Sequence, residues 1–108
     1  MKQLQVIIEG PDTTEATEAL ITLSGITAEW QPADTGLEKG GLATIATIIG
    51  IVGGSMAVAE QIRKWYQEWK KGKSGKNIEK VVLISGSKHL LLEDATKEQI
   101  KEVLDILN

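Results

Sequence analysis

The stretch Ser85-Gly86-Ser87-Lys88-His89 gathers two hydroxyls, an amine and an imidazole in five positions. Those are the groups from which a nucleophile and its general base are assembled. The spacing works against such a pair. His89 lies in a β-rich run, where adjacent side chains point to opposite faces, so near neighbours in sequence do not meet. His89 is the one histidine of the chain, and there is no cysteine. A zinc site needs several such ligands in a fixed geometry, so no metal-ligating residue is assigned. Gly72-Lys73-Ser74-Gly75-Lys76-Asn77 superficially resembles a phosphate-binding loop. That loop requires a glycine five residues before its Gly-Lys-Ser/Thr. Gln67 stands there instead, and Gly75-Lys76 is followed by Asn77 rather than a hydroxyl. The carboxylates are scattered over helix and loop surfaces, with no spacing that pairs them for acid–base work. The expectation is a protein that is not an enzyme, with no catalytic residue, metal or cofactor.

The elements around these residues read as one domain over residues 1–108, a length that supports one hydrophobic core and not two. Hydrophobic residues make up 42% and charged residues 25%, a globular rather than a disordered balance. The absence of cysteine excludes a disulfide scaffold and suits the cytoplasm. No signal peptide is read at the N-terminus, because Met1–Gly10 alternates instead of presenting a long apolar run. Leu4, Val6 and Ile8 alternate with more polar neighbours and predict a strand over Lys2–Glu9. Gly10-Pro11 breaks it. Asp12 and Glu15 have capping-box spacing, Ala16, Ala19, Leu20 and Leu23 follow at helical spacing, and Gly25 closes the helix. Ile26–Pro32 is a short second strand, and Ala33–Gly41 a loop. Further on, Val81–Ile84 is apolar on both faces, which favours an inner strand. Gly86-Ser87-Lys88 turns the chain into a hairpin partner at His89–Glu93. Thr96 and Gln99 form a capping-box pattern ahead of a stripe of Ile100, Val103, Leu104 and Leu107.

Between these lies the segment with the most unusual composition. Gly40–Lys71 has no charged residue from Leu42 to Ala59, then turns basic and aromatic. As one helix over residues 41–71 it would be about 46 Å long, against a domain about 30 Å across. It must then project or break, and Gly53-Gly54 is the place for a break. Ile45, Ile48, Ile49, Val52, Met56, Ala59, Ile62, Tyr66 and Trp69 recur every three or four residues as an apolar stripe. Ala46, Gly50 and Gly54, with Gly53 and Ala57, form rows of small residues that let helices approach closely. Trp65 and Trp69 with Lys70 and Lys71 resemble the aromatic and basic flank of a membrane segment. Three readings stay open: a permanent span, an ordinary core helix, and a helix that buries its second face by self-association or in lipid. Against a span stand the glycines and alanines, the hydroxyls of Thr44, Thr47 and Ser55, and the acidic unit that would have to cross. The expected fold is α+β, in the order β-α-β-α-β-β-α, with a sheet of about four strands and one long apolar helix.

Charge is unevenly spread. Residues 1–38 hold one base against seven acids, and residues 60–80 hold seven bases against three acids. The net charge of −3 argues against a nucleic-acid partner, since such binders carry a basic surplus. Two poles of opposite charge suit self-association or an anionic membrane.

The layout as a whole is similar to a known one. An opening LQVIIEG strand, a small helix, a Trp-bearing strand, the segment GGLATIATIIGIVGGSMAVA with its Trp- and Lys-rich end, a VVLISGSKHLLLE hairpin and a terminal amphipathic helix together resemble the effector-associated constant components of bacterial conflict systems. The resemblance covers nearly the whole chain and rests on layout, without a catalytic motif. It implies a non-enzymatic component of a defence or cell-death system, working beside a caspase-like or trypsin-like effector peptidase. The expected mechanism is self-association into a homo-oligomer, with membrane disruption as a further outcome and movement from the cytoplasm to the inner membrane on activation. Gly50, Gly53 and Gly54 would permit close helix contact. Ile45, Ile49, Val52 and Met56 would supply the apolar face, and Trp65, Trp69, Lys70 and Lys71 the polar boundary. A peptidase could cut the basic turn at Lys71, Lys73 or Lys76, with Ala33–Lys39 as the second choice, because exposed polar loops are preferred sites of nicking. The alternative is a soluble adaptor that binds an effector or sensor, with the long helix as ordinary core.

Overall fold

The computed structural model of the chain describes residues 3–32, 43–72 and 75–107. Among these, five strands and three α-helices follow in the order β1 (Leu4–Glu9), α1 (Thr13–Ile21), β2 (Ile26–Pro32), β3 (Ala43–Ile51), α2 (Ser55–Lys71), β4 (Lys80–Ser85), β5 (Lys88–Leu91) and α3 (Lys97–Leu104), with short 3₁₀ turns at Leu92–Asp94 and Asp105–Leu107. The strands form one antiparallel sheet in the order β2-β3-β1-β4-β5. The α+β class and most of the short elements agree with the sequence. The sheet has five strands rather than about four, and the long helix over 41–71 is absent.

That helix is replaced by a strand, a turn and a helix. Six of the nine residues of β3 are Thr or Ile, whose branched side chains favour a pleated strand over a helix. The strand alternates as a strand must, with Thr44, Ala46 and Ile48 buried and Ala43, Ile45 and Thr47 on the other side. Gly53 then takes φ +90°, a left-handed conformation that L side chains rarely adopt. Gly54 caps the helix that starts at Ser55. The break expected at Gly53-Gly54 is real, but it separates two kinds of element. Helix α2 has 17 residues, about 25 Å, and fits within a body of 37 × 28 × 23 Å.

One face of the sheet carries Leu4, Val6 and Ile8 of β1, Ala46 and Ile48 of β3, and Val81 and Leu83 of β4, all buried. The helices close over this face. Ala16 and Leu20 of α1, Val58, Ala59, Ile62, Trp65, Tyr66 and Trp69 of α2, and Ile100, Val103 and Leu104 of α3 join it in one core. Polar groups at the seams find partners. The Trp65 indole Nε1 donates to the Ala16 carbonyl at 2.8 Å, and the Thr17 and Thr44 hydroxyls meet at 2.5 Å, tying α1 to α2 and to β3.

The caps divide. Thr96 and Gln99 form the expected box at the start of α3. Asp12 precedes α1 but gives the helix no side-chain hydrogen bond, because its Oδ2 accepts instead from the Asn77 backbone N–H at 2.8 Å. This bond and the Lys76–Glu15 ion pair hold the segment before β4 against α1. Gly10 makes the same junction possible. A Cβ there would lie 2.7 Å from the Glu79 nitrogen and 2.8 Å from the Ile78 Cα.

Candidate functional site

Because the helices take one face of the sheet, the side chains of opposite parity have no described helix over them. Cross-strand register gathers them into rows. In the first, Ile7 of β1 stands opposite Ile45 of β3 and Val82 of β4, and Val82 opposite Leu91 of β5. In the second, Gln5 stands opposite Thr47 and Ile84, Thr47 opposite Glu29 of β2, and Ile84 opposite His89. In the third, Glu9 stands opposite Ala43 and Lys80. Ile7, Ile45, Val82 and Ile84 are partly buried by their neighbours, and Leu91 is 46% exposed. An antiparallel sheet that shows water one face normally alternates polar residues there. Here an aliphatic row runs across four strands, partly buried at Ile7, Ile45 and Val82 and exposed at Leu91.

The titratable side chains on this face are arranged about that row. Glu29 lies on edge strand β2, His89 on edge strand β5, and Glu9 and Lys80 near the middle, all exposed. Among the described residues none of these four forms an ion pair.

The residues expected to form a helix contact are distributed differently. Ile45 is on the open sheet face. Ile49 is the extra residue of a β-bulge, since Ala28 pairs with Ile48 and Thr27 with Gly50. The bulge leaves Ile49 46% exposed and turns Ile51 towards the core. Val52, 72% exposed, follows the strand, and its N–H donates to the Gly25 carbonyl at 2.7 Å. Gly50, Gly53 and Gly54 belong to strand, turn and helix cap, so the row of small residues does not exist as a helix face. Met56 is in the first turn of α2, partly buried. Trp65 and Trp69 are core residues, 3% and 6% exposed, rather than a polar boundary. They lie on the buried face of an amphipathic helix, whose 3.6-residue period the sequence showed correctly from Ala59 onward.

Lys70 and Lys71 are exposed at the end of α2, and Lys70 Nζ donates to the Glu79 carbonyl at 3.2 Å. Lys76 is held by Glu15, whose hydrogen bond and charge raise its pKa above the ordinary lysine value. Lys73 and the loop Ala33–Lys39 lie outside the described residues, as do Gly40–Leu42. His89 sits on β5 and Ser85 at the end of β4, on either side of the Gly86-Ser87 turn. Among the described residues no three or more His, Cys, Asp or Glu come together to hold a metal ion.

A second feature was not legible in the sequence, because it depends on how two helices meet. A cleft of about 350 Å³ opens between the end of α1 and α2, with Leu23, Gln61, Lys64, Trp65 and Trp69 among its walls. Gln61 Nε2 donates to the Ser24 carbonyl at 3.0 Å, while the buried Trp69 Nε1 has no hydrogen-bond partner among the described residues. The open face had a partial signal. Ile7 and Val82 stood out as apolar residues at positions where alternation called for polar ones.

No family model, curated protein or solved structure matches the chain. Among the described residues no helix is long and apolar enough to cross a membrane.

Proposed function

We propose that the protein is a non-enzymatic adaptor that works through the open face of its sheet. The observation that carries this reading is the aliphatic row Ile7, Ile45, Val82 and Leu91, which lies on the face opposite the core. The fold does not need that row to close its core, since Leu4, Val6, Ile8, Ile48 and Leu83 already supply the helix-facing side. The setting we propose is the one the layout suggests, a bacterial defence or cell-death system in the cytoplasm, with a caspase-like or trypsin-like effector peptidase as partner. Of the two mechanisms weighed from sequence, the adaptor fits better. The segment that would have entered lipid is divided between a strand hydrogen-bonded on both sides and a helix whose tryptophans are in the core. Insertion would require the sheet to come apart.

The test is binding of the purified protein to a caspase-like or trypsin-like peptidase from the same genome. Ile45→Lys and Val82→Glu place charges in the row and should weaken binding by about tenfold or more. Lys64→Glu, on the exposed side of α2, should not. Equal binding by all four proteins would remove the sheet face from the account.

A further inference from the structure

The charge pattern of the open face says what it can bind. Glu29 and His89 occupy the same row at opposite edges of the sheet, with central strand β1 midway between them. A two-fold axis parallel to β1, lying in the plane of contact between two facing sheets, exchanges β2 with β5 and β3 with β4. It sets Glu29 of one copy over His89 of the second copy, twice. It sets Ile45 over Val82, also twice, and Ile7 over Ile7 on the axis. Lys80 meets the small Ala43, which leaves room for its ammonium to reach Glu9. The two Glu9 carboxylates that approach near the axis are therefore flanked by two Lys80 side chains. The face is self-complementary at its centre, through Ile7, Ile45 and Val82, and at its Glu29 and His89 edges, while Ile84 meets Thr47.

We infer that a second copy of this chain docks on the open sheet face, giving a homodimer with two sheets inside and the helices outside. This deepens the adaptor reading and rests on it, since it names the occupant of the same surface. Facing sheets pack about 10 Å apart with their strand directions within about 30° of each other, which this face can do without moving a helix. Five strands at about 4.8 Å spacing, each contributing about five residues at 3.3 Å, give a footprint of roughly 400 Å² per copy. With the corrugation of the side chains the total is about 1,000 Å², the size of a weak, reversible interface. The dimer therefore dissociates on dilution and leaves the face free for another partner.

Sedimentation equilibrium of the whole chain at low salt tests this. The wild type should rise with concentration from 11.7 kDa towards twice that mass. Glu29→Lys sets a lysine against a histidine and His89→Glu sets two carboxylates together, so each alone should weaken association by about tenfold. Mixed in equal amounts, the two variants form the complementary pairs again and should associate within about threefold of the wild type. Lys64→Glu should change nothing. A wild type that stays at 11.7 kDa, or a mixture no better than its parts, overturns the second copy as occupant. The docking face itself would then still stand or fall on the peptidase binding of Ile45→Lys and Val82→Glu, so the two failures are distinguishable.

Discussion

The two tryptophans of α2 have opposite hydrogen-bond fates within one helical turn. Trp65 Nε1 donates to the Ala16 carbonyl, while Trp69 Nε1 is buried with no partner among the described residues. Replacing either by Phe removes a similar ring volume, but only the first loses a hydrogen bond, and the second relieves an unsatisfied donor. Trp65→Phe should therefore be more destabilising than Trp69→Phe by about 1 kcal/mol or more in urea unfolding. Asp105 provides a pH signature. The hydrogen bond from Lys101 at 2.8 Å, then that from Ser55, lowers its pKa below the ordinary carboxylate value. Its contribution is thus complete above that ordinary value and is lost as pH falls through the lowered one. Unfolding measured from neutral to acid pH should show Asp105→Asn less stable than the wild type near neutrality, with the two curves converging in acid. Lys76 behaves in the opposite sense. Glu15 raises its pKa, so its contribution persists through neutral pH and is lost only as pH rises through the raised alkaline value.

At the scale of elements, the junction between β3 and α2 is where sequence and structure part. Gly54 is an N-cap without a side chain, and nothing lies within 4 Å of a Cβ added there. The first turn of α2 also lacks an acidic residue. Gly54→Asp should cap the helix, favour its dipole and raise stability by a few tenths to about 1 kcal/mol. The rest of the architecture was largely legible. The Leu4-Val6-Ile8 alternation, the Gly86-Ser87 turn and the Thr96–Gln99 box each specify a local conformation by themselves. β3 was obscured because both of its faces carry apolar residues. Ile45 and Ile48, three apart, imitate a helical stripe when the alternation between core and open face is hidden. The β-branched content of Ala43–Ile51 was the signal that would have decided it. The Asp12–Glu15 pair failed for a different reason. Asn77 and Lys76, more than sixty residues away, claim both carboxylates, and no local pattern encodes that.

At the scale of the molecule, a single helical layer on a five-stranded sheet divides the protein into a side that closes the core and an open side, the one we propose as the docking face. The site was only partly legible for that reason. A row such as Ile7, Ile45, Val82 and Leu91 is assembled from four strands and exists only once register is set. Ile45 was the one expected site residue to fall in this row, and it faces an adjoining strand rather than another helix. The architecture turns on Ile45 and Ile48 pointing to opposite faces of one strand. In a helix, residues three apart share a face and would respond alike. The decisive measurement is urea unfolding of Ile45→Thr beside Ile48→Thr, a substitution that keeps the β-branch in both. The expected cost is about 1 kcal/mol or less at Ile45 and about 3 kcal/mol at the fully buried Ile48. Equal large losses at both positions would contradict it.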